Sequence, residues 1–319
     1  MSGPENLSQQ KFPGRLIFFS FLAVILFAGG TFIPLMSFWG LVLCPLPLAL
    51  LGYREGMGRL GMGLIVAGAL LFFLLSPFSA LCFLLGCAPL ALAMVWCIGK
   101  KWSGSEALLL CVLVSVLEKV ILLLVFWAMT GRNFFLPDPH QMELLMRQLS
   151  VGFSNGTADS ISLQANIRRM TELIPYMLPA MLLLYAELDA FVNYRLCEFF
   201  QRKRTPQPPA LPPFVEWRFP RSLLSAFFFS FVVSLLWSSD EWLEGAMFAA
   251  NLHLVLNVLF FVQGLSLAFW WIRRRRLGPF LQFLAVFVMM IPLVWLWLVF
   301  LGVSDMVFNF RSRVRRPDA

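Results

Sequence analysis

Charge is what this sequence has least of. Only 13% of its residues are Asp, Glu, Lys or Arg, and 60% are apolar, whereas soluble domains run at about 25% charged and about 45–50% apolar. Histidine is scarcer still. His140 and His253 stand in unlike surroundings, so the convergent ligands of a metal site are missing. Cys44, Cys82, Cys87, Cys97, Cys111 and Cys197 lie in or beside apolar runs without a CxxC pair, and read as small buried apolar residues. No HExxH or Walker pattern occurs, and no nucleophile sits beside a base at a recognisable spacing. The sequence therefore points away from an enzyme and calls for no cofactor and no metal. The short alternating strands of a membrane β-barrel are absent. No polar stretch is long enough for a soluble domain, the longest being 130–171 and 201–221. The first apolar run has no small-residue cleavage site after it and reads as a retained span.

What the sequence has instead is apolar runs of about 20 residues, the length a helix needs to cross a bilayer. They are expected at 15–30, 35–51, 60–75, 78–98, 106–129, 172–200, 222–237, 245–272 and 279–301. The class is an all-α polytopic membrane protein. Residues 1–200 form a six-span bundle with an outer amphipathic segment over 130–171, where short helices are expected near 139–153 and 160–170. Residues 201–221, QRKRTPQPPALPPFVEWRFPR, are a basic proline-rich linker that cannot be a membrane helix, because proline lacks a backbone donor and fixes φ. Residues 222–319 form a three-span unit with a basic tail.

Lys and Arg gather on the cytoplasmic side of membrane proteins. With the N-terminus inside, Lys11 and Arg15, Arg54 and Arg59, Lys100 and Lys101, the linker, and Arg273 to Arg276 all face the cytoplasm. Nine spans then put the arginine tail outside, unless the region beyond Pro292 folds back. The net charge of +8 collects at helix ends and reads as topological charge and contact with anionic lipid, with no nucleic-acid partner.

Two features inside the spans stand out. Gly56, Gly61, Gly63 and Gly68 sit at the start of the third span and suit close helix packing. A phosphate loop is set aside, since no strand precedes them and no lysine follows at P-loop spacing. Charged residues within spans are rare and usually face a bundle interior or cavity. Glu118 and Lys119 are adjacent, so they point about 100° apart and do not pair optimally with each other. Glu187, Asp189 and Asn193 lie in the sixth span, and a contact from Lys119 to Glu187 or Asp189 is expected. Asn251, His253 and Asn257 make a further polar group in the eighth span. Such a set reads either as an interhelical structural contact or as a site lining a bound ligand.

The linker segment PPFVEWRFPRSL and the closing GVSDMVFNFRSR resemble the YybS-like family of predicted bacterial membrane proteins, and the resemblance covers nearly the whole chain. That family is thought to be distantly similar to the substrate-binding S components of energy-coupling-factor transporters. For residues 15–200 the resemblance implies an S-component-like six-helix bundle holding a small molecule near the outer face. It also implies a lid over 130–171 and glycines docking a membrane coupling subunit. No ligand-binding residue carries over. The expected function is a small-molecule-binding or transport-associated protein of the bacterial inner membrane, in contact with the lipid bilayer. The alternative is a non-transporting scaffold in envelope growth or division.

Overall fold

The computed structural model describes residues 13–98, 100, 102–131, 160–236, 243–275 and 292–313. The amphipathic helix expected near 139–153 lies outside them, as does most of the acidic loop at 238–244. Among the described residues all regular structure is helical, as the composition requires. Gly14–Phe32, Pro34–Glu55, Met57–Leu74, Pro77–Trp96, Gly104–Thr130 and Met247–Arg274 are long and apolar enough to cross a membrane, and Ser222–Val233 and Val294–Phe308 are shorter apolar helices. This is an all-α polytopic membrane protein. Its outer helix faces carry exposed Leu109, Leu113, Leu117, Leu124 and Trp127, apolar surface that lipid would cover.

The described chain forms two compact units, drawn from Met1–Phe134 with Leu182–Leu211 and from Phe135–Met181 with Pro212–Ala319. In the first unit, α1 (Pro13–Phe32) runs to a 3-10 turn at Pro34–Met36, followed by α2 (Ser37–Leu43), α3 (Pro45–Glu55), α4 (Met57–Leu74), α5 (Pro77–Gly86), α6 (Ala88–Trp96) and α7 (Gly104–Thr130). The expected second and fourth spans are each two helices. The second breaks at Cys44, ahead of Pro45, and the fourth at Cys87, ahead of Pro89. Proline has no N–H to continue the ladder and fits the first turn of a new helix.

Gly56 joins α3 to α4 at φ 92°, a conformation that favours glycine. α7 opens with a capping box in which Ser103 and Glu106 each accept from the other's backbone N–H, at 3.3 and 2.7 Å. Helices approach closely at two crossings, backbone against backbone at the first and against side chains at the second. A Cβ on Gly40 would lie 2.7 Å from the Gly30 nitrogen, and one on Gly63 would lie 2.6 Å from Leu51. Around these crossings pack Phe19, Leu48, Leu60, Phe83, Leu90 and Met94. The Tyr53 hydroxyl donates to the Met94 carbonyl at 2.8 Å.

One helix, α8 (Ser160–Gln201), replaces the expected short helix at 160–170 and the separate span at 172–200. Its backbone is helical through Pro175 and Pro179. Proline interrupts one ladder bond, and in membrane helices neighbouring side chains can make good the freed groups. Here the Asn251 amide does so, its Oδ1 accepting from the Ala180 N–H at 3.0 Å and its Nδ2 donating to the Tyr176 carbonyl at 2.7 Å.

The second unit holds a 3-10 turn at Phe214–Glu216, α9 (Ser222–Leu236), α10 (Leu243–Arg274), α11 (Pro292–Phe308) and a short α12 (Phe310–Arg313). The span expected at 279–301 is seen from Pro292 and continues to Phe308 instead of ending at Leu301. α10 and α11 run parallel. Phe261 stacks on Trp295 at 4.6 Å, Gln263 bonds Asp305 at 2.6 Å and Ser266 meets Arg311 at 3.2 Å, so the numbers climb together along both helices. Their C-terminal ends therefore lie at the same end of this unit, beside the turn at 214–217. Arg311, in the tail, thereby lies against the linker turn.

Candidate functional site

The two helix breaks in the first unit leave backbone groups that a continuous helix would pair. The last carbonyls of α2 and the first N–H groups of α6 have no partner within their own helices. A buried polar cluster supplies partners to both. Asn193 Nδ2 donates to the Val42 carbonyl at 2.7 Å, and the Leu90 N–H donates to Glu118 Oε2 at 3.3 Å. Glu118 thus sits where the partial positive charge of a helix N-terminus favours an anion.

Between these anchors lies Lys119, whose ammonium has three donors. It reaches Asp189 Oδ2 at 2.6 Å, Ser115 Oγ at 2.8 Å and Glu118 Oε1 at 2.9 Å. The Tyr185 ring lies 5.1 Å from the same nitrogen. Asp189 also accepts from Ser115 Oγ at 3.2 Å and, on its other oxygen, from Asn193 Nδ2 at 2.8 Å. Ser115, Glu118, Lys119, Asp189 and Asn193 are each at most 9% exposed. Asn193 Oδ1 is buried without a hydrogen-bond donor.

The expected contact of Lys119 is thus made with Asp189, four residues before Asn193 and on the same helix face. Glu187 lies two positions away, about 200° around the helix; it is half-buried and makes no ion pair with Lys119 among the described residues. Glu118 and Lys119 do pair, because the four-carbon stem of lysine lets the ammonium fold back between both carboxylates. The glycines differ among themselves. A Cβ on Gly63 would meet Leu51 and Leu48, and one on Gly68 would lie 3.4 Å from Leu84, whereas a Cβ on Gly56 or Gly61 would meet nothing within 4 Å.

A second buried network was not anticipated, although an acid in an apolar run was the available signal. In the second unit Asp305 accepts from Gln263 Nε2 and faces Arg311 at 3.4 Å. Arg311 Nη1 donates to the Val215 and Trp217 carbonyls at 2.7 and 3.1 Å. Ser266 Oγ donates to the Phe214 carbonyl at 2.6 Å, and Phe219 N–H donates to Gln263 Oε1 at 3.1 Å. The linker motif PPFVEWRFPRSL and the closing motif GVSDMVFNFRSR are therefore held to each other.

Comparison with known proteins agrees with this architecture. The uncharacterized protein YybS of Bacillus subtilis (strain 168) is 24% identical over 289 residues, which cover 89% of this chain and 92% of that relative. No solved structure matches the chain. Residues 21–306 match the family described as "Predicted membrane protein (DUF2232)", from before the first helix break to the buried acid of the last long helix, and the chain belongs to that family.

Proposed function

We propose that this protein is a small-molecule-binding, transport-associated protein of the bacterial inner membrane, and that the cluster of Glu118, Lys119, Asp189 and Asn193 is its binding centre. One observation carries the reading: two interrupted helices end on the same charged cluster. Discontinuous membrane helices whose ends meet polar side chains are a recurrent way to build solute sites at mid-membrane depth. In this reading the bundle plays the part that the S component plays in an energy-coupling-factor transporter, and no catalytic step is assigned to it. Gly63 and Gly68 remain structural packing residues.

The test is ligand-induced stabilisation of the purified full-length protein across a panel of small solutes. A solute at a hundredfold excess over its Kd adds about 2.7 kcal/mol to the folded state, a shift of several degrees in Tm. The shift should vanish in the charge-swapped variant Lys119→Asp with Asp189→Lys. A shift that survives the swap would place the binding centre elsewhere.

A second reading, the scaffold, has its own supporting observation. All three Lys119 donors are taken by Ser115, Glu118 and Asp189, so the cluster closes on itself. If the charge-swapped pair restores both folded yield and the protein's role in cells, the scaffold reading prevails.

The orientation belongs to the same proposal. The linker 201–221 is cytoplasmic, with Arg202, Lys203 and Arg204 exposed at the end of α8. In a cysteine-free background, Thr205→Cys is expected to resist an impermeant thiol reagent added to intact cells and to react once the membrane is permeabilised. Ready labelling of intact cells would invert the topology.

A further inference from the structure

The second unit contains a cleft of its own. It has a volume of about 430 Å³ and is lined by Val215, Glu216, Arg218, Trp270, Arg273, Arg274 and Arg311. Four arginines and one carboxylate residue, Glu216, thus line one space. The volume lies within the range of small-molecule sites, about 300–1,000 Å³.

The cleft is built rather than a chance meeting of surface arginines. Arg311 forms its floor at 2% exposure, fixed by the carbonyls of residues 215 and 217, by Ser266 and by Asp305. Its Nε has no hydrogen-bond partner. Arg218 is positioned by Asn309 Oδ1 at 3.2 Å, and the Arg274 guanidinium lies over the Trp270 ring at 5.5 Å. Arg273 and Arg274 close the last turn of α10, and the linker turn forms the facing wall. Helix C-termini alone account for a nearby cation or two. They do not account for Arg218, brought in from the linker, or for the cleft between the arginines.

We propose that this cleft binds a phosphate group. Guanidinium forks match phosphate oxygens in geometry as well as charge, and a tryptophan wall suits the level of lipid headgroups. Basic pockets beside membrane helices take anionic lipid headgroups, and a soluble phosphate-bearing molecule presents the same chemistry. The experiment separates these two sources.

The full-length protein in neutral detergent is titrated with phosphatidylglycerol, with phosphatidylcholine and, separately, with inorganic pyrophosphate at fixed ionic strength, following thermal stability and intrinsic tryptophan fluorescence. The same titrations are run on the double variant Arg218→Gln, Arg273→Gln, at two exposed positions whose loss leaves the Arg311 network intact. Arg275→Gln, exposed and outside the lining, serves as a charge control. Saturable binding of phosphatidylglycerol over phosphatidylcholine, weakened at least tenfold in the double variant and unchanged in the control, is the expected result for a lipid headgroup. The same pattern with pyrophosphate identifies a soluble ligand and equally supports the site. Equal weakening by Arg275→Gln would reduce the effect to general surface charge and overturn the proposal, as would the absence of saturable binding to either probe.

Discussion

Replacing Lys119 with methionine is expected to destabilise the folded protein by about 3–5 kcal/mol, the loss typical of a buried charge pair that is deprived of one partner. Lys119 is the cation of a cluster that holds two carboxylates, Glu118 and Asp189, both nearly inaccessible. Removing it leaves both uncompensated at positions buried from solvent. Asp189→Asn should cost less, because Lys119 keeps Glu118 as its counterion. The triple variant Lys119→Met, Glu118→Gln, Asp189→Asn should recover most of the loss, since replacing every charged partner leaves nothing unpaired. The measurement is reversible unfolding in mixed micelles for the three single variants and the triple. A coupling energy of about 0.5–3 kcal/mol marks residues that share one network. If the single losses simply sum in the triple variant, the cluster does not act as a unit, and the binding centre proposed on it goes as well.

This cluster also shows what the sequence carries and what it does not. Glu118, Lys119, Asp189 and Asn193 were legible because a charge in an apolar run is costly, about 2.5–3.5 kcal/mol at a helix centre when alone, and so demands a partner. The four-residue spacing of Asp189 and Asn193 gave their common face. The choice between Glu187 and Asp189 was not legible, because it depends on the rotation of α8 against α7. Pro45 and Pro47 stand inside the second span, where proline distorts a helix. That the break would hand the Val42 carbonyl to Asn193, 151 residues away, is a tertiary fact with no local trace. The break before Pro89, which gives Glu118 its backbone donor, lies within an otherwise uniform apolar run.

The second unit makes the same point from the other side. Asp305 and Arg311 stood inside a motif that carried the family resemblance, and the linker stood inside another. Sequence alone offered no reason for the two to meet. The parallel course of α10 and α11 brings them together, and that course rests on a close backbone crossing that single glycines in long apolar helices do not advertise. The glycine-rich start of α4 drew attention by number, yet Gly61 faces open space.

The crossing is at Gly264 and Gly302. A Cβ on Gly302 would lie 2.9 Å from the Gly264 nitrogen and collide with the Phe260 carbonyl oxygen; one on Gly264 would lie 3.0 Å from the Gly302 nitrogen and collide with the Leu298 carbonyl oxygen. The obstructing atoms are backbone, so no rotamer change relieves the clash, and even alanine forces the helices apart. Small residues are the usual means of bringing membrane helices this close. Overpacking costs about 1–3 kcal/mol. Gly302→Ala is expected at the upper end of that range, because separation would also lengthen the 2.6 Å bond from Gln263 to Asp305 and the contact of Ser266 with Arg311. Gly264→Ala alone should cost about as much. The double variant should cost clearly less than the two together, since one separation accommodates both methyl groups. Gly61→Ala supplies the contrast: its Cβ meets nothing within 4 Å, so the substitution should be neutral or stabilise α4 by roughly 0.5–1 kcal/mol through helix propensity. All four variants can be ranked by thermal unfolding of the purified protein. Gly302→Ala and Gly61→Ala behaving alike would mean that α10 and α11 do not cross where the structure puts them.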